Sequence, residues 1–187
     1  MNIYRQRSLA MASIFASVVF LSGLGQAHAA TAAEVDAKVA SALTQFRKET
    51  SGADGFLKEA KAVLVIPDVK KVGFVIAGQW GTGALQVGGQ TIDYYKMTAG
   101  SAGFQAGYQQ AHFVFIFFTQ EAVDKFRDGE GWTVGGEAGL TLVEVGAGVS
   151  ADTLKNQNAV AGFAFSREGL MAGWSAKGTK FERVKLH

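Results

Sequence analysis

Cysteine is absent from all 187 residues. That single gap excludes a disulfide scaffold, a lipidated cysteine near the amino terminus and any thiolate metal site. Histidine is nearly absent too. The chain has three, at positions 28, 112 and 187, and no two of them have metal-ligand spacing. A Ser-His-Asp arrangement would have to use His112, which stands at the mouth of an apolar run and reads as a structural strand-end residue. Gly173-Trp174-Ser175-Ala176-Lys177 lacks the second glycine and the following helix that a nucleophile elbow needs. In the glycine clusters at 78–83 and 100–107 no Gly-Lys-Ser/Thr opens a helix, so neither a phosphate loop nor a dinucleotide fingerprint is present. These gaps point away from an enzyme and from any cofactor or metal. Proline occurs once, at Pro67.

A predominance of one charge sign is also missing. The chain carries 18 basic and 16 acidic residues, and its first 29 hold two basic and no acidic ones. Residues 30–187 are therefore neutral overall, and a sequence pI near 8.8 does not indicate nucleic-acid binding. The distribution is uneven. Residues 72–166 sum to −4 and residues 167–187 to +3, so the carboxyl-terminal segment is the basic end.

The amino terminus has the three parts of an export signal. Arg5 and Arg7 are followed by an uncharged apolar run from Leu9 to Leu24 and then by Ala27-His28-Ala29. A spanning helix needs about 20 apolar residues, and this run is shorter and followed by Gly25. The reading is a signal peptide over residues 1–29, cleaved before Ala30, and a single domain over residues 30–187. The expected localisation is periplasmic or secreted.

The domain opens with helices. Thr31-Ala32-Ala33-Glu34 has capping-box spacing, and Val35, Val39, Leu43 and Phe46 recur at helical period. A second short helix is expected from Asp54, burying Phe56, Leu57 and Ala60. Val63–Ile66 then reads as a short apolar strand stopped by Pro67. Beyond it, β-branched and aromatic residues alternate with glycine in short strands at 73–78, 83–87 and 100–108. Phe113–Phe118 has no alternation, so both of its faces should be covered. Thr119 to Phe126 reads as one more helix with Thr119 as its N-cap. Strands resume at Trp132, with Ser166-Arg167-Glu168-Gly169 as a hairpin turn. The last strand, Thr179–Leu186, is rich in Lys and Arg, as an edge strand is when protected against further pairing. The expected fold is α+β: N-terminal helices packed on a strongly curved, Gly-rich, barrel-like antiparallel sheet, with one helix inserted midway.

In order, Ala62–Pro67, Lys71–Gly78, Trp80–Gly83, Ala99–Gly107, Thr119–Phe126, Trp132–Ala138 and Ala164–Ser175 resemble the SYLF domain family, also described as the yeast-type actin-binding domain. The resemblance spans nearly all of residues 30–187. Where that family often has an acidic residue before the apolar strand, this chain has His112. The resemblance implies binding to phospholipids, especially phosphoinositides or other anionic lipids, at a membrane surface. It also implies that basic residues near the N-terminal helix contribute. Actin binding belongs to eukaryotic members, and an exported chain argues against actin as a partner. The candidate lipid-binding residues are Arg47, Lys48, Lys58, Lys61, Lys70 and Lys71 near the helices, with Lys177, Lys180, Arg183 and Lys185 at the carboxyl end. The alternative is a structural or protein-interaction module of the cell envelope. Salt would weaken phosphate contacts and would leave a dry apolar interface unchanged.

Overall fold

The computed structural model describes residues 30–73, 76–102, 107–129, 132–133, 140–142, 156, 159–166, 169–170 and 178–187. Residues 1–29, expected to be an export signal, lie outside the described residues. Helix α1 spans Ala32–Glu49, and its start is the expected capping box. Thr31 Oγ1 accepts from the Glu34 amide at 3.3 Å, and the Thr31 amide donates to Glu34 Oε2 at 2.9 Å. Val35, Val39, Ala42 and Phe46 form its buried stripe. Leu43, expected on that stripe, is only half-buried. A left-handed Gly52, at φ 78°, turns the chain into α2, Ala53–Glu59, whose Phe56 is buried.

The remaining elements are β1 (Ala62–Gly73), β2 (Ile76–Val87), β3 (Gln90–Ala102), β4 (Gly107–Phe117), α3 (Gln120–Asp128), β5 (Trp132–Thr133), β6 (Leu140–Leu142), β7 (Val160–Ser166), β8 (Gly169–Leu170) and β9 (Lys180–Val184). The strands form one sheet in the order β5-β9-β3-β2-β1-β4-β7-β6, with β8 hairpinned onto β7. All described pairs are antiparallel except β6 with β7. Thr119 caps α3 by accepting from the Ala122 amide at 3.2 Å, as its sequence position suggests.

Both faces of the sheet are apolar where it matters. Val65, Ala84, Val114, Ile116 and Phe163 lie under α1 and α2. Leu64, Ile66, Phe113, Phe115, Phe117 and Phe181 line the opposite face with Val123 and Phe126 of α3. That explains the unbroken Phe113–Phe118 run: alternate residues serve two cores, and all six are buried.

The second face is bent inward. Phe115 on β4 and Phe181 on β9 are four strand steps apart, about 19 Å in a flat sheet. Their ring centroids are 5.4 Å apart, so the sheet curls around its own aromatic core. Phe126 of α3 fills the bend, with its ring 4.6 Å from Tyr95, 5.1 Å from Phe117 and 5.7 Å from Phe181. The sheet is nevertheless open. Among the described residues no pairing joins β5 to β6 or β8, so the expected barrel is not closed.

Two other expectations are corrected. Pro67 does not stop the first strand; β1 runs through it to Gly73. The register shifts there against both neighbours, between Val65 and Lys70 toward β2 and between Ile66 and Val69 toward β4. Proline is tolerated because a bulge asks no ladder hydrogen bond of it. The last strand is not an edge either, since β9 pairs with β3 on one side and with Trp132–Thr133 on the other.

Candidate functional site

Helix α1 crosses the sheet and is pinned along its length. The Ala32 amide donates to the His187 carbonyl at 3.2 Å. Asp36 accepts from Thr91 Oγ1 and from the Tyr94 hydroxyl, each at 2.9 Å. Burial, with this carboxylate beside it, pushes the Tyr94 phenol pKa up. Lys38 lies 3.5 Å from Asp68, and Gln45 Nε2 donates to the Ser166 carbonyl at 2.6 Å. At the β1 bulge, Asp68 adopts φ 51° and its amide donates to His112 Nδ1 at 3.2 Å. Gln110 Nε2 donates to Asp68 Oδ1 at 2.8 Å, and the His112 ring lies 5.3 Å from Phe165. His112 is thus a clamp on the bulge, and it stands in the middle of β4 rather than at the strand end that its sequence position suggests.

Beyond α1, where its last turns meet α2 and the β2–β3 hairpin, a groove of about 190 Å³ opens. Leu43 and Arg47, one helical turn apart, form one wall; Leu57, Ala60 and Lys61 form the second, and Val63 lies between them. Gly88 and Gly89, at φ 57° and 81°, close the end as a two-residue hairpin turn between the paired Val87 and Gln90. At the same end of the sheet Val87 and Ile92 are 41% and 40% exposed, but neither lines the groove, and Val87 alternates with the groove-lining Gln86 and so points to the opposite face. The volume lies below the 300–1,000 Å³ usual for a small-molecule pocket. It fits part of an acyl chain or one side chain, with cations at the rim.

The candidate basic residues separate into groups. Arg47 and Lys61 face the groove together, Arg47 also bonding Asp54 at 3.1 Å. Lys58 follows Leu57 on the last turn of α2 and is exposed. Neither Lys58 nor Lys61 makes an ion pair among the described residues. Lys48 sits 3.7 Å from Glu49. Lys70 and Lys71 lie at the far end of β1, away from the groove. Lys180 is taken up by Glu182 at 2.6 Å, which holds the Glu182 carboxyl below its ordinary range. Arg183 donates to the Arg127 carbonyl and lies 3.7 Å from Asp93, tying β9 to the end of α3. Asp93 also accepts from Arg127 Nε at 3.0 Å. Lys185 is exposed beyond β9, and Lys177 lies outside the described residues. The structure therefore brings Arg47 and Lys61, two of the six helix-side cations, to one groove, and it pairs Lys180 and Arg183 internally.

Sequence reasoning named most of the groove-lining residues but not their meeting in one groove, and of β3 it assigned only the last residues, from position 100. The signal was there: Gly88-Gly89 between Val87 and an alternating stretch is a hairpin mark.

Among the described residues no helix is long and apolar enough to cross a membrane. The family model described as Ysc84, Las17-binding protein actin regulator, matches residues 98–185, and the chain belongs to this SYLF domain family. Within it, the chain is 33% identical over 156 residues to LAS seventeen-binding protein 3 of Saccharomyces cerevisiae, in strains YJM789 and S288c. That alignment covers 76% of this chain and 34% of the relative. Protein YSC84 of strain S288c is 32% identical over 130 residues, covering 66% of this chain and 28% of that protein. The chain thus spans about a third of the length of the curated relatives it matches.

Proposed function

We propose that this domain is a non-enzymatic, exported module that binds anionic phospholipid surfaces through the groove between α1, α2 and the β2–β3 turn. The observation that carries the reading is a groove lined by the apolar Leu43, Leu57, Ala60 and Val63 together with the cations Arg47 and Lys61. Interfacial binding needs both terms: apolar area to enter the headgroup region and cations to meet phosphate. Each basic group near an anionic surface contributes about 1 kcal/mol. Phosphoinositides are one headgroup class with the required charge.

The test is co-sedimentation of the purified protein with neutral phosphatidylcholine vesicles and with vesicles containing phosphatidylglycerol or a phosphoinositide. Binding should be confined to the anionic vesicles and should weaken with salt. Replacing Lys58 and Lys61 together by Glu should weaken it at least tenfold. Equal binding of wild type and this variant at low salt would reject the groove.

The family's description favours a second reading, a protein-binding module. The matched family and relatives are described by Las17 binding and actin regulation, and those are properties of those proteins. Pelleting with filamentous actin, or salt-insensitive capture of an envelope protein with no vesicle binding, would decide for it.

A further inference from the structure

A second surface lies at the other end of the same strands. Strand register sets Gln110, Lys70, Trp80, Thr98 and Lys180 side by side across β4, β1, β2, β3 and β9. Directly opposed residues share a face, and Trp80 stands four residues from Ala84, so this is the face that α1 covers lower down. Helix α1 does not reach this row. Trp80 is 44% exposed and Val72, in the next row opposite Gly78, is 45% exposed. A Cβ on Gly78 would stand 3.7 Å from the indole, an ordinary contact distance, so the ring lies along the strand beside this glycine. Lys70, directly opposite Trp80, is exposed and makes no ion pair among the described residues. Lys96, on β3, faces Glu182, which Lys180 already neutralises, so this face has an excess of positive charge.

Two half-exposed apolar side chains offer on the order of 200 Å². That is well short of the roughly 800 Å² per partner of a standard protein interface. An aromatic ring with a polar edge, an aliphatic neighbour and an unpaired lysine is instead what a bilayer interface takes up. Trp80 and Val87 are seven residues apart on β2, about 23 Å. Between their two ends stands α1, about 10 Å thick, and a flat bilayer resting on Trp80 cannot also reach the hairpin turn.

We infer that the Lys70–Val72–Trp80 face is a second contact for anionic bilayers, so that one domain bridges two membranes. The inference rests on the lipid-binding reading above.

The experiment uses phosphatidylglycerol vesicles with brominated acyl chains, which quench tryptophan at the acyl level, together with light scattering to follow vesicle clustering. Wild type should be quenched and should cluster the vesicles. Trp80→Phe, which leaves tryptophans only at 132 and 174, should lose most of the quenching. Lys70→Glu with Trp80→Ala should still co-sediment within about threefold of wild type while clustering is lost. Trp80→Phe keeps an aromatic at this position and so checks the result against a folding defect. Wild-type binding without quenching at Trp80, or clustering retained by the double variant, would overturn the second surface and leave the groove standing. Failure of wild type to bind any anionic vesicle would overturn both.

Discussion

Single residues decide how closely the strands of this sheet approach. At Gly83 an added Cβ would lie 1.8 Å from the Val65 carbonyl oxygen and 2.8 Å from the Ile66 Cα. Those are backbone atoms, and no rotamer change relieves them. Gly83→Ala should therefore force β1 and β2 apart, costing about 3 kcal/mol or more. Gly100→Ala, where a Cβ meets nothing within 4 Å, should change stability by less than about 1 kcal/mol. Thermal or urea melts of the two variants make the comparison. His112 holds the bulge: its Nδ1 accepts from the Asp68 amide. His112→Phe preserves the ring beside Phe165 and leaves that amide without this partner, so a loss of about 1–3 kcal/mol is expected. A variant as stable as wild type would mean that the bulge holds without the clamp.

Elements are joined here by charge as well as by packing. Strand β9 meets β3 in register, and the Lys180–Glu182 pair lies on its exposed side. The hydrogen bond and charge of Lys180 lower the Glu182 pKa. A carboxyl depressed in the folded state contributes stability above its unfolded pKa, about 4.3, and loses it as pH falls through the folded value. Carboxyl carbon NMR should show Glu182 titrating below the ordinary range, and Lys180→Met should return it there. Because the pair is fully exposed, the effect on melting should be small. The α3 end is held differently. Asp93 stands between Arg127 and Arg183, where loss of the carboxylate would leave two cations facing each other.

For the whole molecule, position matters more than formal charge. Counted along the chain, the last twenty-one residues are the basic end. Folded, Lys180 and Arg183 are spent on Glu182, Asp93 and the Arg127 carbonyl. Lys58 and Lys61 belong to the groove region and have no acidic partner among the described residues. Vesicle affinity should therefore fall further with Lys58→Glu/Lys61→Glu than with Lys180→Glu/Lys185→Glu. Co-sedimentation at low salt, with each variant's melt recorded alongside, tests this order. A larger loss from the carboxyl-terminal pair would shift the lipid contact to β9.

The sequence by itself determined what local rules reach. Thr31 and Glu34, or Thr119 and the Ala122 amide, lie three residues apart, so capping was legible before any fold existed. The Phe113–Phe118 run announced a strand buried on both faces because no surface strand spends six apolar residues in a row. The scarcity of cysteine and histidine narrowed the chemistry. Only the tertiary structure decided that β1 passes through Pro67, because the bulge depends on two neighbouring strands slipping together. It also set β9 between β3 and β5, bent the sheet until Phe115 met Phe181, and brought Arg47 and Lys61 to one groove. Most of strand β3 was hidden for a related reason: Asp93, Tyr94, Lys96 and Thr98 look like loop residues until Asp36, Arg127 and Glu182 are placed around them. Register, curvature and the pairing of charges join residues thirty to a hundred positions apart, and no local periodicity carries that information.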